Sequence, residues 1–363
     1  MKKSLLFFWV SFIIFTINVS AQKMKTSAQS LVRQTNLNRY KLNEFDQISS
    51  FKEGLAVVVK NEKFGFINKN GIEVIPCKYE QAISFSEGLA AVTLNGKTGF
   101  INKTGEIAIQ FNYNSNYGYA FHEGLVNVCI SDESFNEKWF FIDKTGRIVL
   151  DCQKYSGVEI FSEGLALVEM RGRVGFINNE GVEVVSCKYD DPNSNSFNHL
   201  FKEGLCRVKK YGKYGFIDKS GIEMSPTEFD FAENFSNGLA LIKQNNSYFY
   251  INNLGNKVID GKEFWTMESF SEGFAVVEIK FKYGYIDKTG QLVIPVIYDN
   301  AYEFNEGLAV VGINEKFGFI DKSGKIIVPI IFDSADNFSE GVAMVVKDGK
   351  KMFIDKIGKV VLE

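Results

Sequence analysis

The chain has 363 residues and a formal net charge of −3, with 41 lysines and arginines against 44 aspartates and glutamates. The two signs are interleaved and form no basic stripe, which argues against nucleic acid as a partner. Hydrophobic residues make up 45% of the chain, enough for a sizeable core, and the 34 phenylalanines suggest that this core is aromatic.

The first 21 residues have the pattern of a secretory signal peptide. Lys2 and Lys3 form a basic start, an apolar run follows over residues 5–19, and small residues precede a cleavage point at Ala21. The run of about 15 apolar residues is shorter than the roughly 20 needed to span a bilayer, so we favour a cleaved signal over a retained membrane anchor. We therefore predict export to the periplasm, the outer-membrane surface or the extracellular space, with no membrane span in the mature chain.

Residues 22–50 are predicted to form a linker or an N-terminal cap. Residues 45–51 (FDQISSF) parallel residues 332–338 (FDSADNF), so this part resembles the end of a repeat. Tyr40 and Leu42 are interpreted as a partial strand that caps the first repeat.

From residue 51 to 363 one unit recurs nine times. Each copy has a Phe three residues before a Gly, then an aromatic-Ile pair, then a Gly four residues after the Ile. The first copy carries these marks at Phe51, Gly54, Phe66, Ile67 and Gly71, and the eighth at Phe304, Gly307, Phe319, Ile320 and Gly324. Successive copies of the first Gly are 34 to 40 residues apart, a spacing typical of repeat architectures.

The eighth copy, residues 304–329, predicts three strands. Strand A covers 308–313, strand B 317–320 and strand C 325–328, which Pro329 closes because it cannot donate to a ladder. Turns with Asp or Asn first and Gly fourth join B to C, and Asn95-Gly96 is a typical two-residue hairpin between A and B. Each repeat is therefore predicted to be a three-stranded antiparallel meander of about 34 residues.

A single meander cannot bury its apolar face alone, so the repeats must pack against one another. The small Ala56 of strand A and the Gly65 of strand B, which recur in most copies, predict a close approach of another backbone or ring. We favour an open, curved β array, because nine units of three strands are unusual for a propeller and no strand is left over to join the last unit to the first. The alternative is a closed, propeller-like ring.

The pattern F-x-E-G-L-A-x-V, followed by G-[F/Y]-I-[D/N]-K-x-G, resembles the bacterial WG repeat, also called the KWG repeat, over nearly the whole mature chain. The characteristic Trp is missing: the position holds Phe64, Tyr214 or other residues, and Trp139 is followed by Phe140 rather than Gly. The resemblance implies a β-repeat fold and transfers no catalytic, cofactor or metal residues.

Candidate chemistry is sparse. His122 and His199 lie in return loops and are interpreted as solvated loop residues. A Glu precedes the loop Gly in eight of the nine copies, and we assign it to a hydrogen bond in the loop rather than to acid–base catalysis. Five cysteines without a C-x-x-C pair make a zinc or redox site improbable, and Cys152–Cys187 is a weak candidate disulfide between neighbouring repeats.

The leading hypothesis is an exported, non-catalytic repeat protein that offers an extended surface to a protein or a cell-envelope component. A carbohydrate-binding envelope module is the first alternative, served by possible surface aromatics at Tyr79, Tyr155, Tyr189 and Tyr298. An enzyme with a site in the irregular 112–200 region is the second, since loops lengthened in repeats often mark a binding face.

Overall fold

The computed structural model describes residues 41–115, 119–132, 136–190 and 200–363. The predicted signal peptide, most of the predicted linker, Tyr40 and His199 lie outside this part. The protein is all-β, with nine small antiparallel sheets, one for each repeat, arranged as the blades of a ring. Within the described ranges, no helix is both long and apolar enough to cross a membrane.

The three predicted strands are present in every blade. Strand A occupies Leu55–Lys60, Leu89–Leu94, Leu125–Ser131, Leu165–Met170, Leu205–Lys210, Leu239–Gln244, Phe274–Ile279, Leu308–Ile313 and Val342–Lys347. Strand B occupies Lys63–Asn68, Lys97–Asn102, Glu137–Asp143, Arg173–Asn178, Lys213–Asp218, Ser247–Asn252, Lys282–Asp287, Lys316–Asp321 and Lys350–Asp355. Strand C occupies Glu73–Tyr79, Ile107–Asn114, Ile148–Asp151, Glu183–Asp190, Glu223–Phe229, Lys257–Asp260, Leu292–Tyr298, Ile326–Phe332 and Val360–Leu362.

Within the described residues, a fourth strand, which we call the inner strand, precedes strand A in seven of the nine sheets. It occupies Gln47–Ile48, Gln81–Ala82, Gly157–Ser162, Phe231–Ala232, Thr266–Met267, Asn300–Ala301 and Ser334–Ala335. Most copies have only two residues, too few to show an alternating pattern, so the sequence predicted three strands rather than four. Sheet order is inner strand, A, B, C.

The loop from the inner strand to strand A is a tight hairpin. In blade 1 the N–H groups of Lys52 and Leu55 each donate to the other residue's carbonyl, at 2.9 and 3.1 Å. Glu53 and Gly54 form the two-residue turn, with φ of 51° and 86°. Both central residues of such a turn need positive φ, which is costly for Glu and easy for Gly.

The predicted close approach at the Gly of strand B is confirmed. Phe64 pairs with Tyr79 and Phe66 with Ile75, so strand C bulges by extra residues across Gly65. A Cβ added to Gly65 would lie 2.6 Å from the Ile75 carbonyl oxygen, which is why only glycine fits.

Aromatic pairs between blades form the core. The Phe of each inner loop packs against the strand B aromatic of the preceding blade, with ring centroids 4.7 to 5.2 Å apart in all nine junctions. One of these junctions is Phe51 on Phe353, which joins blade 1 to blade 9. The ring is therefore closed, so the closed-ring alternative is confirmed and the open array favoured from the sequence is not.

The two ends of the described chain meet to complete blade 9, where strand C ends at Leu362. The short 3₁₀ helix Leu42–Glu44 and Phe45 pack against this blade, and Leu42, Phe45, Phe353 and Leu362 share one buried cluster. The Asn43 side chain donates to the Gly349 carbonyl at 3.2 Å and accepts from the Lys351 N–H at 2.8 Å. The same cluster contains Phe51, Val58 and Ile67 of the first repeat, so Leu42 packs where the last blade meets the first, and this junction closes the ring.

Candidate functional site

Hydrogen bonds between neighbouring inner loops run around the ring. The carboxylate of each loop Glu accepts from the loop Gly N–H of the next blade, at 2.8 to 3.0 Å for the closer oxygen. In blade 6 the Asn237 side-chain oxygen does the same for Gly273, at 2.8 Å. We call these nine contacts the clasp ring. The loop hydrogen bond predicted for the recurring Glu thus joins two blades rather than closing its own loop.

The clasp ring identifies the inner edge of the blades. Equivalent loops of adjacent blades touch one another there, as they also do where the Ser86 hydroxyl donates to the Phe121 carbonyl at 2.6 Å. Because equivalent positions in a ring come closest near its axis, the inner strands face the centre and strand C forms the outer rim.

Lysines of the B–C turns reinforce most of the clasp carboxylates. Six ion pairs of 3.0 to 3.1 Å join them across the blade junctions, such as Lys144 to Glu87. Partial burial alone would raise the pKa of Glu87, but hydrogen bonds from Lys144 and the N–H groups of Gly124 and Glu123 lower it below its ordinary value. The pKa values of Glu163 and Glu306 are lowered in the same way. These carboxylates are ionised structural acceptors at neutral pH.

The four predicted surface aromatics are buried. Tyr79, Tyr155, Tyr189 and Tyr298 are each at most 3% exposed. Three of them stand opposite a strand B residue, as Tyr298 does opposite Tyr283, and all four belong to the apolar clusters of the core. Their assignment to the surface is wrong, because the end of strand C turns into the core where it passes to the next blade.

Cys152, Cys187 and His122 are candidate residues for chemistry that lie in the part of the chain that the structure describes. Cys152 and Cys187 are both free thiols in the structure, so the candidate disulfide is not confirmed, and burial raises the pKa of Cys152 to about 11. His122 takes the loop position that Ser86 holds in blade 2. Among the residues that the structure describes, no three His, Cys, Asp or Glu side chains are grouped to hold a metal ion.

The outer rim carries a row of exposed apolar side chains. In eight blades strand C or the residues beside it expose a large hydrophobic residue, including Ile107 (52%), Ile148 (53%) and Ile326 (51%). Among the described strands, strand C is also the edge strand of its sheet, so one side of its backbone has no partner among them. An apolar edge of this kind is a template for pairing with another chain.

Exposed aromatics lie at a different place, the face of the ring that carries the A–B turns. Tyr211 of blade 5 and Phe281 of blade 7 occupy such turns and are 84% and 75% exposed. Trp265, 51% exposed, packs edge-on against Phe281 with ring centroids 4.9 Å apart. The sequence signal was an aromatic residue in a turn position that the other described two-residue A–B turns fill with Gly or a polar or charged residue.

The fold and its clasp ring define a nine-bladed β-propeller built from tandem repeats. The family model described as WG containing repeat matches residues 43–64, 64–97, 99–132, 139–173, 175–214, 214–248, 248–280, 283–317 and 317–350. The chain therefore belongs to the WG repeat family, as the resemblance implied. No curated protein matches it in sequence.

Solved structures resemble the fold at low identity. A crystal structure of a eukaryotic initiation factor matches with a TM-score of 0.57 and 13% identity, over 85% of this chain and 95% of that one. BamB from Moraxella catarrhalis matches with a TM-score of 0.40 and 12% identity, over 80% and 92%. The first likeness concerns the fold alone.

Proposed function

We propose that the protein is an exported, non-catalytic propeller whose outer rim binds an extended segment of another protein. The observation that carries this proposal is the apolar edge of blades 2 to 4. Strand C has a proline in blades 1, 5, 7 and 8, at Pro76, Pro226, Pro295 and Pro329, and a proline blocks strand addition because it has no N–H. Blades 2 to 4 have Gln110, Asp151 and Ser186 instead.

An added strand would obtain affinity from main-chain hydrogen bonds and specificity from alternate side chains. Ile107 and Ile148 offer apolar contacts at two neighbouring strand C edges that no proline blocks. These blades also contain the lengthened loops that the sequence marked as a binding region. A partner that crosses several blades would use the repeated geometry of the ring.

The non-catalytic part of the proposal rests on how the repeated polar groups are used. The recurring Glu side chains are held as ionised hydrogen-bond acceptors in the clasp ring, with lowered pKa values at Glu87, Glu163 and Glu306. A carboxyl group that acts as a general acid needs a pKa raised towards the working pH. The pKa values of these three side chains are shifted in the opposite direction.

The experiment compares two double variants as affinity baits in an extract of the native cell envelope. Ile107→Lys with Ile148→Lys places charges on two open edges. Leu292→Lys with Ile326→Lys is the matched control, because these residues are 44% and 51% exposed beside Pro295 and Pro329. We expect the first pair to lose a partner that the wild type and the control retain. Retention by both variants would refute the rim as the binding surface.

Export is tested separately. A reporter that is active only outside the cytoplasm, fused after residue 30, is expected to be active with residues 1–21 and inactive without them. The N-terminus of the mature chain is expected at Gln22. A mature protein that retains Met1 would refute cleavage and favour the membrane anchor.

A further inference from the structure

The A–B turns of blades 5 and 7 carry aromatic side chains that the fold does not use. Both residues of these two-residue turns have positive φ, a conformation that suits Asn and Gly, as at Asn95-Gly96. Tyr211 has φ of 51° and Phe281 has φ of 65°, and both rings point into solvent. A bulky residue in this region is a conformational outlier, and such strain typically persists for a functional reason.

Blade 7 has also exchanged a turn cap for an aromatic ring. In blades 1 and 8 the carboxylates of Asp46 and Asp299 accept from the first N–H of the A–B turn, each at 2.9 Å. Trp265 occupies the equivalent position in blade 7 and packs on Phe281 instead. Blade 7 therefore lacks a stabilising cap and has in its place an exposed pair of rings.

A cavity of about 550 Å³ lies on blade 6, between these two turns. It is lined by Asp230, Phe231, Lys243, Asn246 and Tyr248. Phe231, Lys243 and Tyr248 stand directly opposite one another on the inner strand, strand A and strand B, so their side chains share one side of the sheet.

The short strand C of blade 6 explains why this cavity is open. In blades 7 and 8 an aromatic at the end of strand C faces the matching residue of strand B, as Phe332 faces Phe317. In blade 6 the pairing of strand C ends where Asp260 meets Phe249. The next residue, Gly261, donates to the Tyr248 carbonyl at 3.0 Å but has no side chain to cover the Tyr248 ring.

We propose that this face of blades 5 to 7 is a binding site for a neutral oligosaccharide. The cavity on blade 6 takes one sugar ring against Tyr248 and Phe231. The Trp265–Phe281 pair and Tyr211 offer platforms for neighbouring sugar units on either side. The site is separate from the outer rim, and a chain that binds protein at its rim would bind glycan on this face.

The side chains of the cavity favour an uncharged polyhydroxyl ligand. Asp230 accepts hydrogen bonds, Lys243 donates them and Asn246 does both, while the rings supply apolar surface for the C–H face of a sugar. The Lys243 ammonium lies 5.0 Å from the Tyr248 ring centroid and covers one face of that ring, which disfavours a cationic ligand and leaves the other face for the sugar. The Asp230 carboxylate is paired with Lys213 and accepts from the Asn245 N–H at 2.8 Å, so its charge is already balanced. The volume lies within the roughly 300–1,000 Å³ of small-ligand sites.

The test is an array of neutral gluco-, manno-, galacto- and N-acetylglucosamine oligosaccharides probed with the mature chain, followed by titration in solution. Trp265 is a built-in reporter, because the only other Trp after residue 21 is the buried Trp139. We expect at least one oligosaccharide to bind and to shift the Trp fluorescence. Tyr248→Ala and Phe281→Asn should each weaken binding at least tenfold.

Two controls keep the outcome interpretable. Tyr302→Ala removes a 45% exposed aromatic next to the inner strand of blade 8 and should change affinity less than twofold. Phe281→Asn places a residue that the turn prefers, so loss of binding with this variant is not explained by unfolding.

Absence of any neutral glycan ligand, binding unchanged by Tyr248→Ala, or a peptide that alone shifts the Trp265 signal would overturn the site. The Ile107→Lys, Ile148→Lys variant should bind glycan normally, which separates this test from that of the rim.

Discussion

The hydrogen bond from the Gly124 N–H to the Glu87 carboxylate is the unit contact of the clasp ring, and Glu87→Ala removes it. The two carboxylate oxygens lie 3.0 and 3.3 Å from the Gly124 nitrogen, and Lys144 lies 3.0 Å from one of them. A hydrogen bond to a charged group contributes about 1.5–3 kcal/mol, whereas a partly exposed ion pair contributes less than about 1 kcal/mol. We therefore expect Glu87→Ala to lower the free energy of unfolding by about 2–3 kcal/mol.

Glu87→Asn is the matched variant, because blade 6 already uses Asn in this position. The Asn237 side-chain oxygen accepts from Gly273 at 2.8 Å, and Asn tolerates the positive φ of the loop better than Glu. Glu87→Asn should therefore cost less than about 1 kcal/mol. Equilibrium unfolding in guanidinium chloride at pH 7 measures both values. We infer that the loop keeps a residue with strained, positive φ because its side chain accepts the hydrogen bond from the next blade. Equal losses of unfolding free energy for Ala and Asn, or a loss below about 0.5 kcal/mol for Ala, would refute this inference.

Acid should remove the contribution of Glu87. Its folded pKa is lowered from the ordinary 4.5, so the ionised form stabilises the fold fully above that value, and this stability is lost as the pH falls through the lower folded pKa. The difference between the wild type and Glu87→Asn, whose amide does not titrate, should therefore change with pH in this range. The same difference at pH 7 and at pH 3 would contradict an ionised acceptor.

Three further substitutions test other parts of the fold. Phe281→Asn should raise stability by about 0.5–1 kcal/mol in the same denaturation assay, because Asn suits positive φ and an exposed Phe does not, and a loss would contradict the strain assigned to this turn. Gly65→Ala should cost about 1–3 kcal/mol, since the added Cβ would lie 2.6 Å from the Ile75 carbonyl oxygen; a neutral result would mean that strand C moves freely. Partial desolvation and then the charge of Glu303 raise the pKa of the exposed Glu268, so ionisation opposes folding once the pH exceeds the unfolded pKa. Glu268→Gln should therefore raise the melting temperature by about 1 °C at pH 7 and leave it unchanged at pH 3.5.

Local structure was predictable because local chemistry determines it. The Gly of strand B, the turn residues and the β-branched strand A each satisfy a requirement within one repeat, so the strands and the approach at Gly65 follow from the sequence. The surface aromatics were not predictable in the same way. Tyr79 and Tyr298 each end a strand C in which buried and exposed side chains alternate. Whether the last ring turns inward depends on the bulge across the neighbouring Gly and on packing against the next blade.

Closure of the ring depends on the angle between blades, to which every repeat contributes a small and equal rotation. Nine sheets close when each turns by about 40°, which is 360° divided by nine, and no single repeat reveals that angle. The sequence did contain a sign of closure, because residues 45–51 parallel residues 332–338, and in the structure Phe45 packs with Phe353 and Leu362 of the last blade, where strand C covers only Val360–Leu362. One repeat is thus divided between the two ends of the array. The Ser339 hydroxyl donates to the Phe51 carbonyl at 2.7 Å, and the Glu340 carboxylate accepts from the Gly54 N–H at 3.0 Å. The last blade therefore contacts the first in the same way as neighbouring blades contact each other elsewhere in the ring. These contacts, together with Phe51 on Phe353, distinguish the closed ring from an open array of the same units.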